Sequence, residues 1–252
     1  MVTALYAFTC GTVTGPFRGE EVGDLALPVP CYLIDHPEGT ALVDTGLHPG
    51  VREDPHGRVG WVADVLRLEL PEGQDLASRL AALGVDPGGL RYLVNTHMHF
   101  DHAGGNVLVP PHVELVVQER EWAAANDQQG IETNFYNPDD YSQERPVRAV
   151  DGEHDLYGDG SVVLMPTYGH TPGHQSLRVS GGGEEDLILC ADACYFADWM
   201  DSEESPPYGF DKEQELASLR HLRSLRDAGA RMVYGHDTKQ WATLPQAPAP
   251  IV

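Results

Sequence analysis

Basic residues are scarce in this chain of 252: 16 Lys and Arg stand against 39 Asp and Glu, a formal net charge of −23 at pH 7. Nucleic acid and anionic membrane would both be repelled, so neither is expected as a partner and a nuclease role is disfavoured. Cysteine is sparse as well. Cys10, Cys31, Cys190 and Cys194 form no CxxC pair, which excludes a zinc ribbon or a thioredoxin-like redox motif and leaves buried, reduced thiols as the expectation. No basic segment followed by an apolar run opens the chain, so no secretory signal is expected. No apolar run reaches the ~18 residues that a transmembrane helix requires. Together these absences predict a cytoplasmic protein. The remainder, 41% hydrophobic and 22% charged, is ordinary globular composition, and the length can bury a substantial core.

What the chain does have is Asn95-Thr96-His97-Met98-His99-Phe100-Asp101-His102-Ala103-Gly104-Gly105, with three histidines and one aspartate inside six positions. Neutral imidazole and carboxylate suit Zn²⁺ and similar divalent ions. His97 and His99 are two apart, so on extended chain they point the same way. Asp101 and His102 follow where the chain leaves a strand predicted over 90–94, so one turn can offer two pairs of ligands to two adjacent ions. A solvated His-rich loop or a structural single-zinc site would use fewer partners. His170, Asp192 and His236 each follow a predicted strand and supply the missing donors, and Tyr195 lies three residues beyond Asp192. Asp44, at a strand end in Asp44-Thr45-Gly46, reads either as a carboxylate that hydrogen-bonds the metal loop from behind or as a plain turn residue.

Apolar periodicity and turn chemistry predict strands over 5–8, 29–35, 40–44, 90–94, 113–117, 147–150, 155–157, 161–166, 175–179, 186–190 and 231–234. Helices are predicted over 75–83, 118–125 and 210–228, the last with Leu216, Leu219, Leu222 and Leu225 as its buried stripe. Residues 11–24 read as a loop, 181–183 as a loop tip, and the Pro-rich tail after Leu244 as an irregular arm. The long stretch 48–73 reads as a lid or contact surface, and 126–144 as a second long loop. Each half has several strands and then a helix, and every candidate ligand follows a strand. That plan predicts two sheets packed face to face, helices outside, and a site along one edge.

The run His97-Met98-His99-Phe100-Asp101-His102 with His170, Asp192 and His236 resembles the ligand set of the metallo-β-lactamase superfamily. Phe100, Tyr195 and the run His170-Thr171-Pro172-Gly173-His174-Gln175-Ser176 are similar to the N-acyl homoserine lactone lactonases within it. The likeness runs from near the N-terminus to Asp237 and is loosest over 11–21, 48–73 and 126–144. It implies an α/β fold, the αββα sandwich of the metallo-β-lactamase type with two mixed β-sheets, as a single hydrolase domain over 1–252. It implies two divalent ions, Zn²⁺ in the first place with Co²⁺, Mn²⁺ or Fe²⁺ also accommodated. One ion would be held by His97, His99 and His170, the other by Asp101, His102 and His236, with Asp192 bridging. The implied reaction is opening of the lactone ring of N-acyl homoserine lactones by a metal-bridging hydroxide. Tyr195 would hydrogen-bond the carbonyl oxygen, Asp101 would pass a proton to the leaving alkoxide, and Phe100 and Tyr195 would touch the substrate. His174 is left as a structural residue. Relatives that dimerise through the stretch after Asp44-Thr45-Gly46 make a homodimer an option. On the same metal core the competing readings are another lactonase, a glyoxalase II-like thioesterase, a phosphoesterase, and a non-catalytic metal sensor. A short tail after His236, where glyoxalase II carries a helical domain, favours the lactonase.

Overall fold

The computed structural model describes residues 1–181 and 185–252. Among the described residues, twelve strands form two sheets. They are β1 (Ala4–Gly15), β2 (Leu25–Asp35), β3 (Ala41–Val43), β4 (Arg67–Glu69), β5 (Tyr92–Val94), β6 (Glu114–Gln118), β7 (Val147–Val150), β8 (His154–Asp155), β9 (Val162–Pro166), β10 (Gln175–Val179), β11 (Leu187–Leu189) and β12 (Arg231–Val233). The first sheet runs β4-β1-β2-β3-β5-β6-β7 and the second β12-β11-β10-β9-β8. Both are mixed: β1–β2–β3 are antiparallel while β3–β5–β6–β7 are parallel, and β11–β12 is the parallel pair of the second sheet. Helices α1 (Pro55–Val59), α2 (Val62–Val65), α3 (Leu76–Ala82), α4 (Phe100–Ala103), α5 (Glu119–Ala125), α6 (Gln128–Thr133), α7 (Trp199–Ser202) and α8 (Lys212–Asp227) lie between them in sequence, and α9 (Thr238–Trp241) follows β12.

Period-2 alternation sorts the strand residues into layers. Ala7, Ile34, Val43 and Val94 of the first sheet meet Leu164, Leu177, Leu189 and Val233 of the second in one inter-sheet core. The opposite face of the first sheet, with Leu33, Leu42, Leu93 and Leu115, packs on Leu76 and Leu80 of α3. The outer face of the second, with Met165, Ile188 and Met232, packs on Leu219 and Leu222 of α8. The result is the four-layered αββα sandwich. Asp211 starts α8 by accepting the Glu213 and Gln214 N–H groups, and Asp75 does the same for α3 through Ser78 N–H.

Several expectations are corrected. β1 does not stop at Phe8: a bulge between Thr9 and Thr12, with Gly11 at φ 120, lets the β-branched residues Thr12 to Thr14 continue it to Gly15, so only 16–24 is loop. Residues 48–73 contain α1, α2 and β4, and 126–144 contain α6, so neither is structureless. These two stretches pack on each other: Arg58 of the first pairs with buried Asp140 of the second, and the rings of Trp61 and Phe135 meet edge to face at 5.3 Å. The tail is irregular but docked. Ala247 and Ile251 donate to the Ala7 and Leu5 carbonyls of β1, and Leu244 and Ile251 enter the inter-sheet core. In α8, Leu219 and Leu222 are buried, whereas Leu216 and Leu225 are half-buried and Glu215 takes a buried position on that side. The loop tip expected at 181–183 falls largely outside the described residues. All four cysteines are buried and unpaired. Among the described residues, no helix is long and apolar enough to cross a membrane.

Candidate metal centre

The connections that leave β3, β5, β9, β11 and β12 at their C-terminal ends converge at one edge of the sandwich, and each brings one or more polar side chains. β5 leads into His97, His99 and α4; β9 into the turn carrying His170; β11 into Asp192; β12 into His236. Such strand ends are held by the sheets, so the side chains beyond them are fixed without help from a ligand. Gly235 permits the last approach, because a Cβ there would stand 2.3 Å from the Ala191 carbonyl oxygen.

Two groups of donors result. His97, His99, His170 and Asp192 form one, and Asp101, His102 and His236 the other, with ligand atoms in each lying within 4.8 Å of one another. His99 Nδ1 stands 3.0 Å from His97 Nε2 and 3.1 Å from His170 Nε2. Ligands at 2.0–2.1 Å from a tetrahedral ion would lie about 3.3 Å apart, so these spans suit a first-row divalent ion. Asp192 sits between the groups. Its Oδ2 is 3.3 Å from His170 Nε2 and 3.8 Å from His97 Nε2, while its Oδ1 is 3.1 Å from His102 Nε2 and 3.2 Å from His236 Nε2. One oxygen therefore faces each group.

The outer ring nitrogens are spoken for. His102 Nδ1 donates to Asp44 Oδ2 at 2.8 Å and His236 Nδ1 to the Pro28 carbonyl at 2.8 Å, so both turn Nε2 inward. Thr96 ties the arrangement together: its N–H and hydroxyl donate to Asp44 Oδ1 and Oδ2 at 2.8 and 2.7 Å, and the hydroxyl lies 3.1 Å from His97 Nδ1. Asp44 thus reaches the metal loop from behind rather than serving a turn alone. His174 accepts the Asp192 N–H at Nε2 and faces Thr167 at Nδ1, so it braces the backbone and adds no donor to either group. Its pKa is pushed down to about 3 by burial.

Electrostatics match a cation site. Burial, then the neighbouring histidines, holds His97 and His99 well below the ordinary imidazole range, so their lone pairs are free at neutral pH. Burial also opposes charge on His102 and Asp192, yet their mutual attraction prevails: His102 is raised well above its usual value and Asp192 is held well below. Buried His102 Nε2 and Asp192 Oδ1 face each other at 3.1 Å, yet neither makes a well-aligned hydrogen bond among the described residues. Orphaned polar atoms of this kind are costly in a dry interior, and a divalent ion is a partner that satisfies them.

The centre opens into a cavity of about 310 Å³. Asp101, Asp192, Tyr195 and His236 form its base, and Phe17, Leu27, Trp61, Val65, Leu66 and Phe135 supply apolar walls. Phe100 lines it too. Tyr195 is buried with its hydroxyl 3.4 Å from that of Tyr208, and burial pushes its pKa well above the usual phenol value, so it remains a donor across the neutral range. Every candidate named from the sequence lies at this one place. Trp61 and Phe135 belong to the two long stretches singled out from the sequence, whereas sequence reasoning missed the bridging role of Thr96, and with it Tyr208 and two buried carboxylates, Glu121 and Glu215. Neither glutamate carries a local motif; each sits in a helix whose docking alone brings it to the centre. Glu215 Oε1 is 3.9 Å from His170 Nδ1.

A sequence profile of the metallo-beta-lactamase superfamily matches residues 25–236. The chain is 33% identical to the N-acyl homoserine lactonase AttM of Azorhizobium caulinodans over 241 residues, spanning 89% of this chain and 88% of the relative. It is 30% identical to the N-acyl homoserine lactonase AiiA of Bacillus thuringiensis subsp. kurstaki, spanning 86% and 84%. An N-acyl homoserine lactone hydrolase solved with the product N-hexanoyl-L-homoserine bound at its catalytic metal centre superposes with a TM-score of 0.87 at 28% identity, covering 100% of both chains.

Proposed function

From the premise that this chain belongs to the metallo-beta-lactamase superfamily, we propose that it is a dinuclear metal-dependent hydrolase that opens the lactone ring of N-acyl homoserine lactones. The observation that carries the reading is Asp192, one oxygen toward each donor group, at the polar base of a cavity with apolar walls. A polar head would meet the two donor groups while an aliphatic acyl chain lay along the walls, and burial of each methylene contributes about 0.8 kcal/mol. The named relatives act on, or hold the product of, that same class of lactone.

In this reading His97, His99 and His170 hold one ion, Asp101, His102 and His236 the other, and Asp192 both. Zn²⁺ is the first choice for imidazole and carboxylate donors. When bound, two such ions supply acidified water and an electrophile for the carbonyl. The chain's own residues do the rest. Tyr195 donates its hydroxyl proton in a hydrogen bond to the carbonyl oxygen as negative charge builds there. Asp101, which lines the cavity beside Asp192, is placed to carry a proton to the departing alkoxide. Phe100 flanks the ring, and the apolar walls keep bulk water from the reacting atoms. The whole of 1–252 works as one catalytic unit. A homodimer through 48–73 rests on the resemblance alone, and light scattering decides it.

The test is a panel of N-acyl homoserine lactones, other lactones, glutathione thioesters and phosphoesters, followed by proton release or product chromatography. One proton per turnover on the acylated homoserine lactones is expected, abolished by a chelator and restored by Zn²⁺ or Co²⁺. Fast thioester cleavage with inert lactones would move the protein to the thioesterase reading. Fast turnover of a different lactone would keep the reaction and change the substrate.

A further inference from the structure

We propose that Glu121 is a positioning residue: it fastens the loop of His97 and His99 to the turn of His170, and so sets the affinity for one of the two ions and not the other. The proposal rests on the two-ion reading above. Glu121 belongs to α5, more than twenty residues from the nearest donor of that group, and is fully buried. Its carboxylate accepts four hydrogen bonds. Oε1 takes the Met98 N–H at 2.9 Å and the Tyr136 hydroxyl at 2.7 Å. Oε2 takes the Thr171 hydroxyl at 2.8 Å and the Gly173 N–H at 2.9 Å.

Nothing else about the carboxylate explains its burial. Among the described residues it makes no ion pair, and a carboxylate taken from water without a counter-ion is costly unless donors surround it. The donors are not scattered. Met98 lies between His97 and His99, and Thr171 and Gly173 belong to the turn that follows His170. These segments leave different sheets, β5 in the first and β9 in the second, so the carboxylate bridges the two halves of the sandwich at the one place where three imidazoles must converge. Tyr136 adds a third element, its ring 5.8 Å from that of His99. The approach is close: a Cβ on Gly173 would stand 2.1 Å from the Glu121 backbone nitrogen, so the His170 turn is pressed directly on α5.

The other group hangs on different supports. His102 is held by Asp44 and His236 by the Pro28 carbonyl, and none of these touches Glu121. Loosening the Glu121 bridge therefore frees His99 and His170 to drift apart while Asp101, His102 and His236 stay in place.

Glu121→Gln is nearly isosteric and tests this directly. A carboxamide keeps one acceptor oxygen, so its NH₂ must face either the Met98 or the Gly173 N–H, and a backbone donor cannot turn away. Protein stripped of ions by a chelator is titrated with Co²⁺, read by visible absorption and by calorimetry, beside circular dichroism. Wild type should resolve two binding events. In Glu121→Gln one event should weaken roughly 10- to 100-fold, the scale typical for outer partners of metal ligands, with the other unchanged and the fold intact. Thr171→Val, which removes one donor, should weaken the same event by less, and Thr171→Ser should restore it. Two unchanged events in folded Glu121→Gln, or two equally weakened, would overturn the proposal. Should Glu121→Gln fail to fold, the Thr171 pair decides, and identical titrations for Val and Ser would overturn it. A wild-type protein with a single event would refute the two-ion reading itself, and this proposal with it.

Discussion

Asp44→Asn perturbs the opposite half of the centre. Asp44 sits at φ 55, a left-handed conformation that Asn adopts as readily, so the backbone cost is small. Its carboxylate accepts three hydrogen bonds, from the Thr96 N–H, the Thr96 hydroxyl and His102 Nδ1. The carboxamide oxygen can keep the Thr96 N–H, but its NH₂ then faces His102 Nδ1. To avoid two opposed donors the imidazole must move its proton to Nε2, the atom 3.1 Å from Asp192 Oδ1. A protonated Nε2 has no lone pair for an ion. The flipped amide would set its NH₂ against the Thr96 N–H instead and lose that bond, so either orientation disturbs the support of His102. A hydrogen bond to a charged group contributes about 1.5–3 kcal/mol, which corresponds to roughly 10- to 150-fold in affinity. The loss should fall on the ion held by Asp101, His102 and His236, the event that Glu121→Gln leaves alone. The assay is the same Co²⁺ titration, with kcat/KM at saturating metal beside it. Wild-type affinity for both ions in folded Asp44→Asn would refute the claim that Asp44 sets the His102 tautomer.

Tyr195→Phe keeps the ring and removes the donor; kcat should fall roughly 10-fold with metal content unchanged, less than the ~100-fold typical of a lone oxyanion donor because ions carry much of the charge. Unchanged kcat and kcat/KM on the best lactone would remove the hydroxyl from the mechanism. Burial raises the Asp140 carboxyl to about 7, outweighing the Arg58 guanidinium that faces it. A carboxyl that binds its proton more tightly folded than unfolded stabilises the fold at low pH, and that contribution is lost as pH rises from about 4 to about 7. The unfolding free energy of wild type relative to Asp140→Asn should therefore drop across that range in urea titrations, and a pH-independent difference would refute it.

The metal stretch was legible because its ligands are close in sequence. Three histidines and an aspartate within six residues are improbable without a cation, and strand patterns on either side place the run at a sheet end. His170, Asp192 and His236 are far apart and were legible for a different reason: each follows an apolar strand, and together with that stretch they resemble a known ligand set. The two-sheet plan followed from period-2 alternation, which marks buried faces whatever the connections. β1 beyond Phe8 was not legible, since a Gly-containing bulge reads as a turn. The docked tail was not either, because Leu244 and Ile251 stand too far apart to form a local pattern.

By itself, then, the sequence determined the donor chemistry and the layer count, which depend on residue types and short-range spacing, and it pointed to the reaction class through the family resemblance its motifs carry. Only the tertiary structure decided what holds those donors in place. Glu121 at the metal loop, Asp44 at His102 and the Pro28 carbonyl at His236 act across 23, 58 and 208 residues of sequence. The pocket walls likewise join Phe17, Trp61 and Phe135 from three separate segments. A buried carboxylate or an exposed tryptophan has no local signature, because its role is created by the groups that packing brings against it.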